Sequence, residues 1–207
     1  MINYWPFYLN VNDTVSISHL YNGVNVALTT DRYGRALSAV SLTTGSYQIP
    51  AGNYFSSTDF SILVWINMRS FSSYQRLISF KSALSGTIDY IYISTSAGLS
   101  RNPIVDIYRS GSAPGYVSTS ILQLNQWTHI AFTFARPNLY LYLNGILSGG
   151  LAKTDVPNTG IYISNYLGRS EYYPNEADLD CDVDELKFFN RALSQQEILY
   201  EMNNDMY

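Results

Sequence analysis

The chain has 207 residues and a mass of 23.4 kDa, a length that suits one large all-β or mixed domain with a sizeable buried core. Apolar residues make up 46% and charged residues only 14%, against about 25% charged in an average soluble domain. With 19 tyrosines beside 9 phenylalanines, this excludes a disordered chain, which would be poor in aromatics and rich in charge. The net charge of −4, with no basic stripe, excludes a nucleic-acid duplex as partner.

That charge is unevenly placed. Residues 1–154 carry nine Lys/Arg against five Asp/Glu, whereas residues 155–207 carry three against eleven. The acidic C-terminal quarter is a first functional hint. No run of about 18 apolar residues exists, so no membrane insertion is expected. Cys181 is alone, which excludes an intradomain disulfide and a multi-cysteine zinc site.

Along the chain, the opening MINYWPFYLN lacks the basic region, apolar run and cleavage site of a secretion signal. Asn12-Asp13-Thr14 is an acceptor pattern for N-glycosylation. From residue 60 onward, period-two alternation predicts strands. Phe60, Ile62, Val64 and Ile66 alternate with Ser61, Leu63, Trp65 and Asn67. Between Thr87 and Thr95, Ile88, Tyr90 and Tyr92 share one face. Trp127–Phe134, Leu139–Asn144, Ile161–Leu167 and Val183–Phe189 continue the series. Asn144-Gly145 is the sharpest turn signal, because both residues tolerate the positive φ of a type I′ hairpin. One short helix follows, with Ser194 and Glu197 as a capping box and Leu193 with Ile198 as a hydrophobic staple. Trp65 and Trp127 lie within apolar runs and read as core.

The side chains that catalysis needs are mostly missing. His19 and His129 are far apart in sequence, and no Gly-x-Ser-x-Gly, His-Glu-x-x-His or phosphate-binding glycine loop occurs. His129, in mid-strand, reads as structural. The dense carboxylate run Asp178-Leu-Asp180-Cys-Asp182-Val-Asp184-Glu185 places 178, 180, 182 and 184 on one face of an extended segment. Four aligned anions repel, so they are either splayed in solvent or gathered by a cation. An EF-hand loop is excluded, because Val183 and Phe189 stand where its glycine and bidentate glutamate belong. Tyr90, Tyr92, Tyr140, Tyr142, Tyr162 and Tyr166 recur at even spacing, so each pair shares a strand face. Such a face either stacks on a ligand or supplies ordinary cross-strand pairs of a half-solvated sheet.

Five segments in order carry a family resemblance: Phe60-Ser-Ile-Leu-Val-Trp65-Ile, Gln126-Trp127-Thr-His-Ile-Ala-Phe-Thr, Leu141-Tyr-Leu-Asn-Gly145, Leu167-Gly168-Arg169-Ser170 and Val183-Asp-Glu-Leu-Lys-Phe-Phe-Asn-Arg-Ala-Leu-Ser194. Tyr4-Trp-Pro-Phe, Asn12-Asp13 and Asp31-Arg-Tyr-Gly-Arg35 fit the start of the same pattern. The succession resembles the laminin-G-like jelly-roll domains of the concanavalin A-like lectin and glucanase superfamily. It implies an all-β fold over residues 1–207, a two-sheet antiparallel jelly-roll sandwich with a short C-terminal helix and neighbouring terminal strands. It also implies extracellular placement as one module of a larger protein, a glycan or protein ligand, and often a calcium ion at the rim. By position, the calcium ligands would be Asp13, Asp182 and Asp184. Hydrolytic relatives carry Glu-x-Asp-x-x-Glu on a strand, which this sequence lacks. Cys181 departs from the disulfide that often closes the last loop, leaving a thiol open to pairing between chains.

The resulting expectation is a non-catalytic extracellular module that binds a glycan or glycoprotein, with Ca²⁺ as its cofactor. Tyr90, Tyr92, Tyr140 and Tyr142 would supply stacking area, and Asp89, Asn144 and Arg169 the hydrogen bonds. The alternatives are an adhesion module whose tyrosine face meets a protein and, more remotely, a glycoside hydrolase.

Overall fold

Alternation of apolar and polar residues gives each strand a face to bury, and in the folded chain these faces close over one core. The computed structural model describes residues 1–57, 59–83, 89–109, 112, 114–170, 173 and 175–204. In chain order the strands are β1 (Asn3–Trp5), β2 (Tyr21–Thr29), β3 (Ala39–Ile49), β4 (Phe60–Met68), β5 (Arg76–Ser82), β6 (Asp89–Ser94) and β7 (Ile104–Arg109). They continue with β8 (Tyr116–Val117), β9 (Trp127–Ala135), β10 (Asn138–Leu143), β11 (Ile146–Ala152), β12 (Tyr162–Leu167) and β13 (Leu179–Phe189), before the helix α1 (Gln195–Asn203). Thr87 and Ile88, expected to open the sixth strand, lie outside the described residues.

Hydrogen bonding runs in the order β11-β10-β9-β4-β13-β3-β12-β5-β6-β7-β8, with β1 added beside β13 and β2 beside β3. The sheet rolls up until its ends meet, where the Tyr116 hydroxyl in β8 donates to the Ser148 carbonyl in β11 at 2.7 Å. The result is an antiparallel β-sandwich of the jelly-roll kind, nearly closed into a barrel, with its termini adjacent where Asn3 pairs with Phe188. Aromatic rings pack edge to face in the core. Centroids lie 4.8 Å apart for Phe55–Phe60, 5.1 Å for Phe60–Phe132 and 5.3 Å for Trp5–Phe188. The Asn144-Gly145 hairpin is present, with φ of 51° and 74° and Leu143 paired to Ile146.

β13 lies at the centre. Its first half pairs with β3, its second half with β1, and β4 runs along its other side. Leu179, Cys181 and Val183 point inward, and then the parity changes to Leu186 and Phe188. A bulge between Asp184 and Lys187, with Glu185 at φ 55°, makes that change, so both halves bury apolar side chains. The Cys181 thiol is fully buried and its pKa is raised well above the ordinary value by that burial, so in the folded chain it is closed to pairing with another chain.

The outer carboxylates of this region are gathered by the chain's own arginines. Arg169 holds Asp178, Arg69 reaches both Asp180 and Asp182, and Arg32 holds Asp184. Trp65 and Trp127, expected in the core, are half-buried on the outer side. Trp65 has the Arg32 guanidinium 4.7 Å from its ring centroid and the His129 ring at 5.2 Å. Polar neighbours place it there, because β4 sends Ile62, Val64 and Ile66 inward and Trp65 has the opposite parity.

α1 forms as expected, with Ser194 and Glu197 in a reciprocal capping box. Leu193 and Ile198 pack on Leu63, Ala131 and Phe189, with Tyr142 against the same cluster. At its far end, the Lys187 ammonium donates to the carbonyls of Glu201 at 3.0 Å and Asn204 at 3.4 Å, where a cation suits the helix dipole.

Two consequences are measurable. Asp184→Ala strips Arg32 of a buried counterion and is expected to cost about 3 kcal/mol. Thermal melts should show the same loss in calcium and in chelator; a loss confined to calcium would assign this carboxylate to a metal. His129 is held neutral, its pKa pushed down to about 3 by burial, with Lys187 and Arg32 adding to the effect. Its folded pKa lies below its unfolded one of about 6.5, so between those values the unfolded chain binds a proton that the folded chain refuses. Stability from this group is therefore lost as pH falls below about 6.5, by up to about 1.4 kcal/mol per pH unit. Urea midpoints at neutral and mildly acidic pH should fall less in His129→Gln than in the native chain; equal falls would contradict this.

Candidate functional site

Three neighbouring strands, β5, β6 and β7, turn Ile78, Phe80, Ile91, Ile93, Val105 and Ile107 into the core. The opposite parity sends Tyr90, Tyr92, Asp106 and Tyr108 to the outer face. Register places Tyr90 opposite Tyr108 and Tyr92 opposite Asp106. Tyr90 stacks on Tyr108 with centroids 4.8 Å apart and planes at 20°, and lies 5.4 Å from Tyr92. A register shift in β5 between Arg76 and Ile78 sits beside this patch.

Loops raise walls around it. Together they enclose a cavity of about 360 Å³, lined among the described residues by Tyr74, Arg76, Tyr90, Tyr92, Asp106, Tyr108, Ser112, Pro114, Tyr173 and Glu176. Tyr74 and Tyr173 are exposed and stand at its mouth, whereas Tyr90 is buried. Arg76 is 4% exposed, its guanidinium 4.2 Å from the Tyr92 centroid. One of its nitrogens, Nη2, meets Glu176 Oε1 at 3.3 Å. Asp106 is 1% exposed; Lys153 approaches it at 2.8 Å, and the Tyr92 hydroxyl donates to it at 3.4 Å.

Burial shapes the ionisation of these groups. It raises the Glu176 carboxyl above its usual range against the pull of Arg76, and raises Asp106 against Lys153. Burial also lifts the phenols of Tyr90 and Tyr92, which stay protonated and able to donate. The cavity thus offers aromatic walls, neutral hydroxyls and two compensated ion pairs.

The structure brings together two of the expected ligand residues, Tyr90 and Tyr92. Asp89 opens β6 opposite Arg109, and its side chain lies outside the described residues. Tyr140 is half-buried on β10 opposite Thr133, and Tyr142 packs beneath α1. Asn144 is held in its turn, accepting from the His129 amide at 2.9 Å. Arg169 is engaged bidentately with Asp178. None of these last four lines the cavity.

The three carboxylates expected to hold calcium have separate partners. Asp13 accepts from the amides of Tyr4, Val15 and Ser16 and from the Asn3 side chain. Burial works against its ionisation, but the Ser16 hydroxyl and these donors prevail and lower its pKa. Asp182 and Asp184 face Arg69 and Arg32. Among the described residues, no three His, Cys, Asp or Glu side chains gather into a metal site. Nor is any helix among them long and apolar enough to cross a membrane.

Sequence reasoning missed Tyr74, Arg76, Asp106, Tyr108, Tyr173 and Glu176. A signal existed for two: in Ile104-Val-Asp106-Ile-Tyr108-Arg the alternation already puts Asp106 and Tyr108 on one face. The others come from loops or strand ends, where no periodicity points.

Comparison with known proteins agrees with this architecture. Domain 4 of AbnA, a GH43 extracellular arabinanase from Geobacillus stearothermophilus solved in complex with arabinotriose, superposes with a TM-score of 0.74 at 18% identity, over 98% of each chain. The binding domain of Paraclostridial Mosquitocidal Protein 1 gives 0.69 at 16%, over 93% of this chain and 49% of that one. Trypanosoma rangeli sialidase in complex with sialic acid gives 0.71 at 16%, over 99% of this chain but 33% of the enzyme. At these identities the likeness concerns the fold. No curated protein matches by sequence. Residues 42–199 match a laminin-G family model, and the chain therefore belongs to the concanavalin A-like lectin/glucanases superfamily.

Proposed function

We propose that the chain is an extracellular glycan-recognition module that binds its ligand in the tyrosine-lined cavity of β5–β7. The observation that carries this reading is the lining itself, with five tyrosines around a few charged groups. A sugar ring has apolar C–H faces and a polar edge, and tyrosine matches both with its ring and hydroxyl. The volume of about 360 Å³ falls at the small end of the usual range for small-molecule sites, ~300–1,000 Å³. A protein partner would instead need about 800 Å² of surface on each side. The concave shape therefore favours a glycan, free or carried on a glycoprotein, over an adhesion contact. Support also comes from AbnA domain 4, whose structure holds arabinotriose and whose parent arabinanase is extracellular.

A glycan array that includes arabinotriose, probed with the purified chain in calcium and again with chelator, tests the proposal. Saturable binding should persist in chelator, because the cavity's own carboxylates are matched by Arg76 and Lys153. Tyr92→Ala should weaken the strongest hit about tenfold, or ~1.4 kcal/mol. Tyr142→Ala should leave binding intact and reduce stability by about 2 kcal/mol through lost packing under α1. A blank array with folded protein would overturn the reading. Loss of binding in Tyr142→Ala but not in Tyr92→Ala would move the site elsewhere, and hits confined to calcium would turn attention to Asp13, Asp182 and Asp184.

A further inference from the structure

The Arg76–Glu176 pair is only half used. One contact joins Nη2 to Oε1 at 3.3 Å, while Arg76 Nη1 and Glu176 Oε2 are buried and have no hydrogen-bond partner among the described residues. Both residues line the cavity. Arg76 cannot readily turn away to satisfy itself in water, being 4% exposed and bounded by the rings of Tyr92 at 4.2 Å and Tyr173 at 5.8 Å. A buried donor and a buried acceptor left unmatched are each costly, so a group that answers both gains strongly.

The chemistry of that group follows from what each atom needs. Arg76 Nη1 only donates, and the ionised Glu176 Oε2 only accepts. A hydroxyl does both, its oxygen accepting from Nη1 while its proton goes to Oε2. A ligand carboxylate would satisfy Nη1 and face Oε2 anion to anion, and an ammonium would do the reverse. The surrounding charge points the same way: among the described residues the lining holds one cation, Arg76, against two carboxylates, Asp106 and Glu176, with Lys153 compensating Asp106.

Resting on the glycan reading above, we infer that the cavity selects uncharged, polyhydroxylated sugars and rejects acidic ones, with one sugar hydroxyl bridging Arg76 Nη1 and Glu176 Oε2. Glu176 is the residue that sets this selectivity. It occupies the guanidinium edge that an acidic sugar would need.

Titration calorimetry against neutral trisaccharides (xylotriose, cellotriose, mannotriose) and acidic ones (trigalacturonate, sialyllactose) tests this. The native chain should bind at least one neutral probe ten times or more tighter than either acidic probe. That affinity should be unchanged between low and high salt, since no net ligand charge is involved. Glu176→Gln keeps the shape and leaves Arg76 uncompensated, so the preference should shift at least tenfold toward the acidic probes, with folding checked by thermal melt. Equal or tighter binding of an acidic probe by the native chain would overturn the selectivity while leaving the glycan reading intact. Binding of none of the five by folded protein, together with a blank array, would overturn both.

Discussion

A central strand with carboxylates along one face is stable only if something compensates them, and β13 is such a strand. It touches β4 on one side and both β3 and β1 on the other, so its placement governs the register of half the sandwich. Arg69 and Arg32 supply the compensation for Asp180, Asp182 and Asp184. The partly exposed pairs of Arg69 contribute less, about 1 kcal/mol each. The Arg32–Asp184 pair is different, because both side chains are buried and neither charge could be left alone. Its value is less net stability than specificity, since it ties the loop after β2 to one point on β13.

Curvature then turns a flat motif into a cavity. The outer faces of β9–β11 and of β5–β7 both carry tyrosines, and those of β5–β7 line the cavity. Tyr173 and Glu176 join the β5–β7 face in lining the cavity, whereas α1 covers the neighbourhood of Tyr142. The same residue type thus becomes a cavity wall in one place and helix packing in the other. What differs is the element laid across the sheet.

This is also where the sequence was legible and where it was not. Period-two alternation from Phe60 onward gave β4, β6, β9, β10, β12, β13 and the Asn144-Gly145 hairpin, and the Ser194–Glu197 box gave the helix, whereas β5, β7, β8 and β11 went unnamed. Alternation assigned Tyr90 and Tyr92 to one outer face, but by the same logic it assigned Tyr140 and Tyr142 to another, with nothing local to say which would be roofed. β1, β2 and β3 lay in a region without clear alternation: β2 is largely exposed on both faces, so its residues carry no burial pattern to read. The partners of the acidic run were invisible for a related reason. Arg32 and Asp184 are 152 positions apart, and Arg69 and Asp182 are 113 apart, distances at which no spacing rule operates.

The uneven charge of the chain now has a physical reading. Its basic majority lies before residue 155 and its acidic surplus after it, and the fold sets one against the other through Arg32–Asp184, Arg69–Asp180, Arg69–Asp182 and Arg76–Glu176. Each of these pairs fastens the C-terminal part onto strands or loops of the first half. The last of them does so in the lining of the cavity, to which Tyr173 also contributes. The closure that neutralises the acidic quarter therefore also delivers two walls of the site. Because Arg76 meets Glu176 through a single contact, this fastening leaves one donor and one acceptor buried without a partner among the described residues. A segment docked for reasons of charge thereby leaves the cavity its polar edge, and the sheet beneath supplies the aromatic one.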